Sequence, residues 1–236
     1  MKKQIGINGF LISEAIYSKD EIESLINIIE SSKKENDNFR QSKDLYAIRN
    51  LLQEIPDIIK IVLNDKMKEL LALYFGEPYF PVKGIYFDKP PLSTWFVNWH
   101  QDLTISVDRK EQVFGFINWT IKAGQAAVQP STKYLENILT ARIHLDDTDE
   151  QNGGLHVIKG SHLQGIINES QLKFLREEEK SEICKVKSGG IMFMKPLLLH
   201  ASYKSVNGNH RRVIHIEFAS KELSQGLKWR EKIIDK

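Results

Sequence analysis

A chain of 236 residues, 41% hydrophobic and 27% charged, can bury one sizeable core and is expected to form a single domain over 1–236. Its net charge of +2 gives no reason to expect nucleic acid or a membrane surface as partner, and its one cysteine, Cys184, excludes an intramolecular disulfide and suits a reducing cytoplasm. No long apolar run follows the lysines of "MKKQIGINGF", and no stretch approaches the roughly 20 apolar residues of a membrane span, so neither a signal peptide nor a span is expected.

Helices are expected first. "SKDEIESLINIIESS" opens with Ser18 and Glu21 at capping-box spacing and places Ile22, Leu25, Ile26 and Ile29 on one helical stripe. The polar run "SSKKENDNFRQSKD" reads as a surface connection. "NDKMKELLALYFG" reads as a second helix, opened by Asn64 or Asp65 and ended by Gly76, within a helical N-terminal part of about 1–78. From about residue 80 the period changes. "FPVKGIYFD", "FVNWHQDLTI", "ILTARIHLD", "GLHVIKG", "EICKVK", "GGIMFM", "LLLHASY" and "RRVIHIEFAS" read as strands bounded by turn residues. Many short strands without alternating helices predict a mainly β fold with flanking helices, an antiparallel sandwich or jelly roll with its core over about 79–220. Residues 109–137 resist the strand reading. They are too long for an ordinary turn, and with Phe114, Phe116 and Trp119 they are expected to form a lid-like covering loop beside a site.

The stretch "NWHQDLTISV" carries the chemistry. Read as a strand, it points His100 and Asp102 to one side, so an imidazole nitrogen and a carboxylate oxygen can reach a common ion. Of the seven histidines, His200 is the attractive third ligand, because it closes the apolar run "LLLH" on a late strand that a jelly roll brings beside the early one. Two imidazoles and one carboxylate on one face of a metal describe the facial triad of non-haem Fe(II) oxygenases. The plainer alternative is a polar His100–Asp102 pair with His200 capping a strand.

"WHQDL", "ARIHLDDTDEQNGGLHVIKGSH", "HAS" and "RRVIHIEFA", in that order, resemble the phytanoyl-CoA dioxygenase family of Fe(II)- and 2-oxoglutarate-dependent oxygenases, over residues 85–219. The resemblance implies a double-stranded β-helix, a cupin-like jelly roll. It implies His100, Asp102 and His200 as iron ligands, and Fe(II), 2-oxoglutarate and O2 as the cofactor and co-substrates. It also implies hydroxylation of an unactivated carbon of a small molecule with release of succinate and CO2. Relatives that halogenate lack the carboxylate at the position of Asp102, so its presence favours hydroxylation.

The same resemblance implies an arginine for the far carboxylate of 2-oxoglutarate. Arg211, eleven positions beyond His200, has the family's spacing, whereas the adjacent Arg212 faces the other way. The apolar set Ile214, Ile216 and Phe218 on the face of Arg212 is then expected to pack under the N-terminal helices. Ser202 matches a hydroxyl that helps hold the same carboxylate, and Ile85 is expected to line the pocket. Thr140, Arg142 and His144 share one face of their strand. Thr140 and Arg142 are candidate secondary co-substrate contacts or structural residues, Arg142 standing where some relatives have an aromatic residue. Gln101 and the block Asn152, Gly153, Gly154, Gly160, Ser161, His162 read as structural, and Cys184 as core. Two other classes remain: a metal-binding jelly roll acting as isomerase or hydrolase, which leaves the arginine unexplained, and a catalytically silent binding protein, which would more often have lost a ligand. No oligomeric state and no substrate follow from the residues.

Overall fold

The computed structural model describes residues 1–32, 34–122 and 124–233. The N-terminal third carries helices α1 (Lys2–Asn8), α2 (Lys19–Ser31), α3 (Leu51–Glu54), α4 (Ile59–Val62) and α5 (Asp65–Phe75), with short strands β1 (Phe10–Ile12), β2 (Phe39–Gln41) and β3 (Tyr46–Arg49) between them. Then come β4 (Phe80–Lys89), β5 (Val97–His100), β6 (Ile105–Val107), β7 (Ile117–Lys122), β8 (Gln125–Gln129), α6 (Thr132–Leu135), β9 (Ile138–His144) and β10 (Leu155–Val157). The chain finishes with α7 (Glu169–Glu178), β11 (Glu182–Ile183), β12 (Ile191–Met194), β13 (His200–Ser202) and β14 (Arg211–Ala219).

The helix signals work as physical chemistry predicts. Ser18 Oγ accepts from the Glu21 amide and the Glu21 carboxylate accepts from the Ser18 amide, closing the capping box of α2. Asn64 Oδ1 caps α5 through the Met67 amide, and Gly76 ends it in the left-handed region. None of the described helices is long and apolar enough to cross a membrane.

The strands form a double-stranded β-helix with flanking helices. A seven-stranded sheet runs in the order β1-β12-β9-β14-β4-β3-β2, facing a four-stranded sheet β11-β10-β13-β5, and neighbouring strands in both are antiparallel. Period-two alternation sorts the large sheet into two faces. Leu139, Ala141 and Ile143 of β9, Ile191 and Phe193 of β12, and Ile214, Ile216 and Phe218 of β14 join Ile22, Leu25, Ile29, Met67 and Leu71 of the helices in one apolar layer. The opposite face carries Arg142, Arg211, His215 and Glu217, all buried between the two sheets. Both faces are therefore covered, one by helices and one by the small sheet.

Residues 109–137 differ from expectation. They hold strands β7 and β8 and the short helix α6, and β8 is the centre of a third sheet, β6-β8-β7. Val113, Phe116, Ala126 and Val128 enter a second apolar cluster with Leu223, Leu227 and Trp229 from the end of the chain, whereas Phe114 is exposed. The segment is thus a folded hairpin with its own core. Its strand character is masked because every position of β7 except Trp119 is exposed and a bulge after Ile117, with Asn118 at φ +54°, breaks the alternation.

Two measurements check this. The amides of β8 should exchange slowly in ligand-free protein, and Phe116→Ala should destabilise the fold by roughly 3 kcal/mol. Rapid exchange at Ala126 and Val128 that slows only with bound ligands would instead make the segment a mobile lid.

Candidate metal centre

The centre is set by the pairing of β13 with β5. Their register places His100 directly opposite His200, with ring centroids 4.2 Å apart. Each Nδ1 donates to a backbone carbonyl two residues upstream, His100 to Asn98 and His200 to Leu198, both at 2.8 Å. Those bonds fix the tautomer and leave both Nε2 lone pairs turned toward the same space. Asp102 completes the group, its two carboxylate oxygens 3.7 Å from His100 Nε2 and 3.8 Å from His200 Nε2. The three ligating atoms lie within 4.8 Å of one another, and among the described residues this is the only His, Cys, Asp or Glu cluster able to hold an ion.

The route to that geometry differs from the sequence expectation. Strand β5 stops at His100, so His100 and Asp102 do not share a strand face. Asp102 is held instead by its amide, which donates to the Pro196 carbonyl, and by its neighbour Gln101. The Gln101 side chain donates to the carbonyls of Gly165 and Leu197 and accepts from the Ile167 amide, clamping the turn around Asp102. Electrostatics favour a cation here. Burial pushes His200 down to about 4, so its imidazole is neutral and free to ligate near pH 7. Burial opposes ionisation of Asp102, but His200, His215 and Lys83 outweigh it and hold its carboxyl well below the usual range.

From the triad a cavity of about 230 Å³ runs into the barrel, walled by Ile85, Phe87, Trp95, Arg142, Ser202, Arg211 and His215. Arg211 is 2% exposed and lines the same cavity as the triad. Its Nη2 reaches Ser202 Oγ only at 3.4 Å, and its Nε and Nη1 are buried without a partner. Arg212 points outward and makes a bidentate pair with Asp146 at 2.7 and 3.0 Å. Arg142 donates from Nη1 to His215 Nδ1 at 3.0 Å, leaving its Nε unpartnered. Arg142, Ser202, Ile85 and Arg211 thus reach the cavity, whereas Thr140 is buried on the same strand face without lining it.

Sequence reasoning marks Lys89, with Pro90, only as a family-like element at the end of the first core strand and gives it no task in the site. Lys89 is 0% exposed at the end of β4, donating to Ser202 Oγ at 3.0 Å and to the Tyr203 carbonyl at 2.5 Å, with its ammonium 5.2 Å from the Trp95 ring centre. Gly153, at φ +75°, makes the space: a Cβ there would come within 2.7 Å of Lys89 Nζ and 2.4 Å of the Tyr203 oxygen. Period two could have found Lys89, since it lies four positions from Ile85 on one strand face. Burial, reinforced by Arg211 and Arg142, pushes Lys89 down to about 7, and burial lowers Arg211 to about 9 and Arg142 to about 10. One cavity is thus lined both by a His-Asp-His cluster that could hold a cation and by two guanidinium groups with unpartnered nitrogens, which favour an acidic ligand group.

The Phytanoyl-CoA dioxygenase (PhyH) family model matches residues 7–213. No curated protein matches the chain. Among solved structures, SnoK, titled a non-heme alpha ketoglutarate dependent carbocyclase from nogalamycin biosynthesis, is 15% identical with a TM-score of 0.72, over 98% of this chain and 85% of its own. EctD from S. alaskensis, with 2-oxoglutarate and 5-hydroxyectoine, is 17% identical with a TM-score of 0.70, over 93% and 74%. HygX from Streptomyces hygroscopicus, with nickel, 2-oxoglutarate and hygromycin B bound, is 16% identical with a TM-score of 0.66, over 94% and 91%.

The Lys89 ammonium yields a pH test in metal-free protein. Its folded pKa lies below its unfolded one, so its destabilisation is full below pH 7 and fades as pH rises toward 10. Lys89→Met should therefore raise Tm by roughly 5 °C at pH 6 and by clearly less at pH 9.5. An equal effect at both pH values would mean that the charge is not what strains the fold.

Proposed function

Because the chain belongs to the phytanoyl-CoA dioxygenase family of Fe(II)- and 2-oxoglutarate-dependent oxygenases, we propose that it hydroxylates an unactivated carbon of a small molecule, converting 2-oxoglutarate and O2 to succinate and CO2. The whole of 1–236 acts as one catalytic domain in this reading, and the buried free thiol of Cys184 suits a reducing cytoplasm. The observation that carries it is the buried Arg211 guanidinium, two of its nitrogens without a partner, lining one cavity with the His100–Asp102–His200 cluster.

Each residue has a stated task. His100, Asp102 and His200 would hold Fe(II) on one face, leaving the other open to 2-oxoglutarate, O2 and substrate. The bound iron and keto acid supply the oxidising chemistry. Arg211, with Ser202 beside it, would hold the far carboxylate of 2-oxoglutarate by two parallel hydrogen bonds. Arg142 adds positive potential from the next strand. His215 fixes its guanidinium, accepting at Nδ1 from Arg142 and donating from Nε2 to Glu217 at 3.4 Å. Ile85, Phe87, Trp95 and Val97 supply the apolar wall that keeps water from the reacting centre. Glu217 is in turn held by Lys83 at 2.7 Å, so the polar side of the barrel is a connected chain of groups.

Fe(II) and 2-oxoglutarate mixed anaerobically with the protein should give a weak visible charge-transfer band, and His200→Ala should abolish it. A variant with unchanged iron affinity and turnover would remove His200 from the ligand set. Arg211→Ala should raise the apparent constant for 2-oxoglutarate about thirtyfold or more, since an unpaired buried acid costs on the order of 2–4 kcal/mol. Arg212→Ala should do much less, because its partner Asp146 lies outside the barrel. The reverse ranking would move the carboxylate site.

A further inference from the structure

A second cavity, of about 120 Å³, adjoins the metal cavity and shares Lys83 and Ile85 with it as a common wall. Its other sides come from the end of β3, through Arg49 and Asn50, and from the β7–β8 hairpin, through Lys122 and Gln125. Nothing in the proposed chemistry at the iron uses it.

Its polar groups are unevenly matched. Arg49 is half-buried, and no acid among the described residues lies within ion-pair distance of it. Lys122 is likewise without an acid among the described residues. Lys83 is already paired with Glu217. The one acid in the wall is Glu231, whose carboxylate oxygens accept from the amides of Leu52 and Gly84 at 3.3 and 3.2 Å and so are turned into the backbone. Burial also raises Glu231 to about 7, which weakens its charge near neutral pH. Asn50 supplies a second, independent signal. It is 6% exposed, its Nδ2 donates to Gln53 Oε1 at 3.0 Å, and its Oδ1 is a buried acceptor with no donor. Its backbone sits at φ +55°, a conformation that Asn tolerates better than most residues.

We propose that this cavity receives the far end of the substrate, and that the substrate is a small polar acid. Its carboxylate or phosphate lies between Arg49 and Lys122, and a hydroxyl or amine on it donates to Asn50 Oδ1. The inference rests on the oxygenase reading for the word substrate, but the cavity's preference for an oxyanion stands on Arg49 and Lys122 alone. It also gives the β7–β8 hairpin a task, since Lys122 and Gln125 place one wall of the subsite on a folded element.

The test uses three probes: inorganic phosphate, 3-hydroxypropanoate and its neutral amide, 3-hydroxypropanamide. Binding is read by thermal shift at constant ionic strength, in the metal-free protein and in the anaerobic protein saturated with Fe(II) and 2-oxoglutarate. At least one oxyanion should bind saturably in both forms while the amide does not, and the better of the two distinguishes a phosphoryl from a carboxyl group. Arg49→Gln should weaken that binding tenfold or more and Lys122→Gln several-fold, with Arg49→Lys recovering part of the loss; circular dichroism and the ligand-free Tm report whether each variant is folded. Equal binding of the amide, failure of both oxyanions, or undiminished binding by folded Arg49→Gln and Lys122→Gln proteins would overturn the proposal. Loss of the iron–2-oxoglutarate absorption in the wild-type protein would instead sink the oxygenase reading, and the metal-free titrations would still decide the cavity.

Discussion

Arg211 is a guanidinium buried in the interior of a β-barrel with two of its nitrogens unpartnered, and much of the site follows from that. A charge removed from water costs several kcal/mol unless an opposite charge or a set of acceptors replaces the lost solvent. Here Arg142 and Lys89 stand nearby and deepen the deficit: Arg142 lowers the proton affinity of Arg211, and both guanidinium groups lower that of Lys89. Such an interior is strained when empty and relieved by an anion. A ligand that binds only the folded state returns this deficit as stability, so the ligand-free protein carries part of the binding free energy as strain. The triad supplies the complementary end, since two imidazole lone pairs and a carboxylate attract a metal cation. One ligand bridging metal and guanidinium would meet both needs.

The fold can sustain that interior because the outer face of the large sheet is tightly packed. On β14 the residues alternate between the two environments: Arg211, Val213, His215 and Glu217 face inward, and Ile214, Ile216 and Phe218 lie under the helices. A slip of one residue would exchange the faces and bury Arg212 in the barrel, so the apolar layer fixes which arginine enters. Opposite, the small sheet is short, and its pairing of His100 with His200 is the contact that matters for the metal. Large sheet for anchoring and small sheet for ligation is how this chain divides the work.

Much of this was legible in the residues. The capping box at Ser18, the cap at Asn64 and the stop at Gly76 are local signals and act locally. Strand alternation allowed only one of Arg211 and Arg212 to enter the barrel, and the family's spacing from His200 selected Arg211, the apolar face of Arg212 being left for the helices. The 109–137 hairpin was not legible, because exposed β7 carries no apolar alternation and its bulge destroys what remains. Helix α1 has a single buried residue, Ile5, and so gives no stripe. The end of β5 at His100 depends on Pro196 and Gln101 contacts that no window of sequence contains. The burial of Lys89 was not legible locally, since it is created by Gly153 and Ser202, more than sixty residues away in the chain.

The most direct test of the account is an anaerobic crystal structure with Fe(II) and 2-oxoglutarate bound. The account predicts the metal on His100, Asp102 and His200, with the far carboxylate in two hydrogen bonds to Arg211 and one to Ser202. A carboxylate seated on Arg142 or Lys89, with the Arg211 guanidinium still unpartnered, would contradict it.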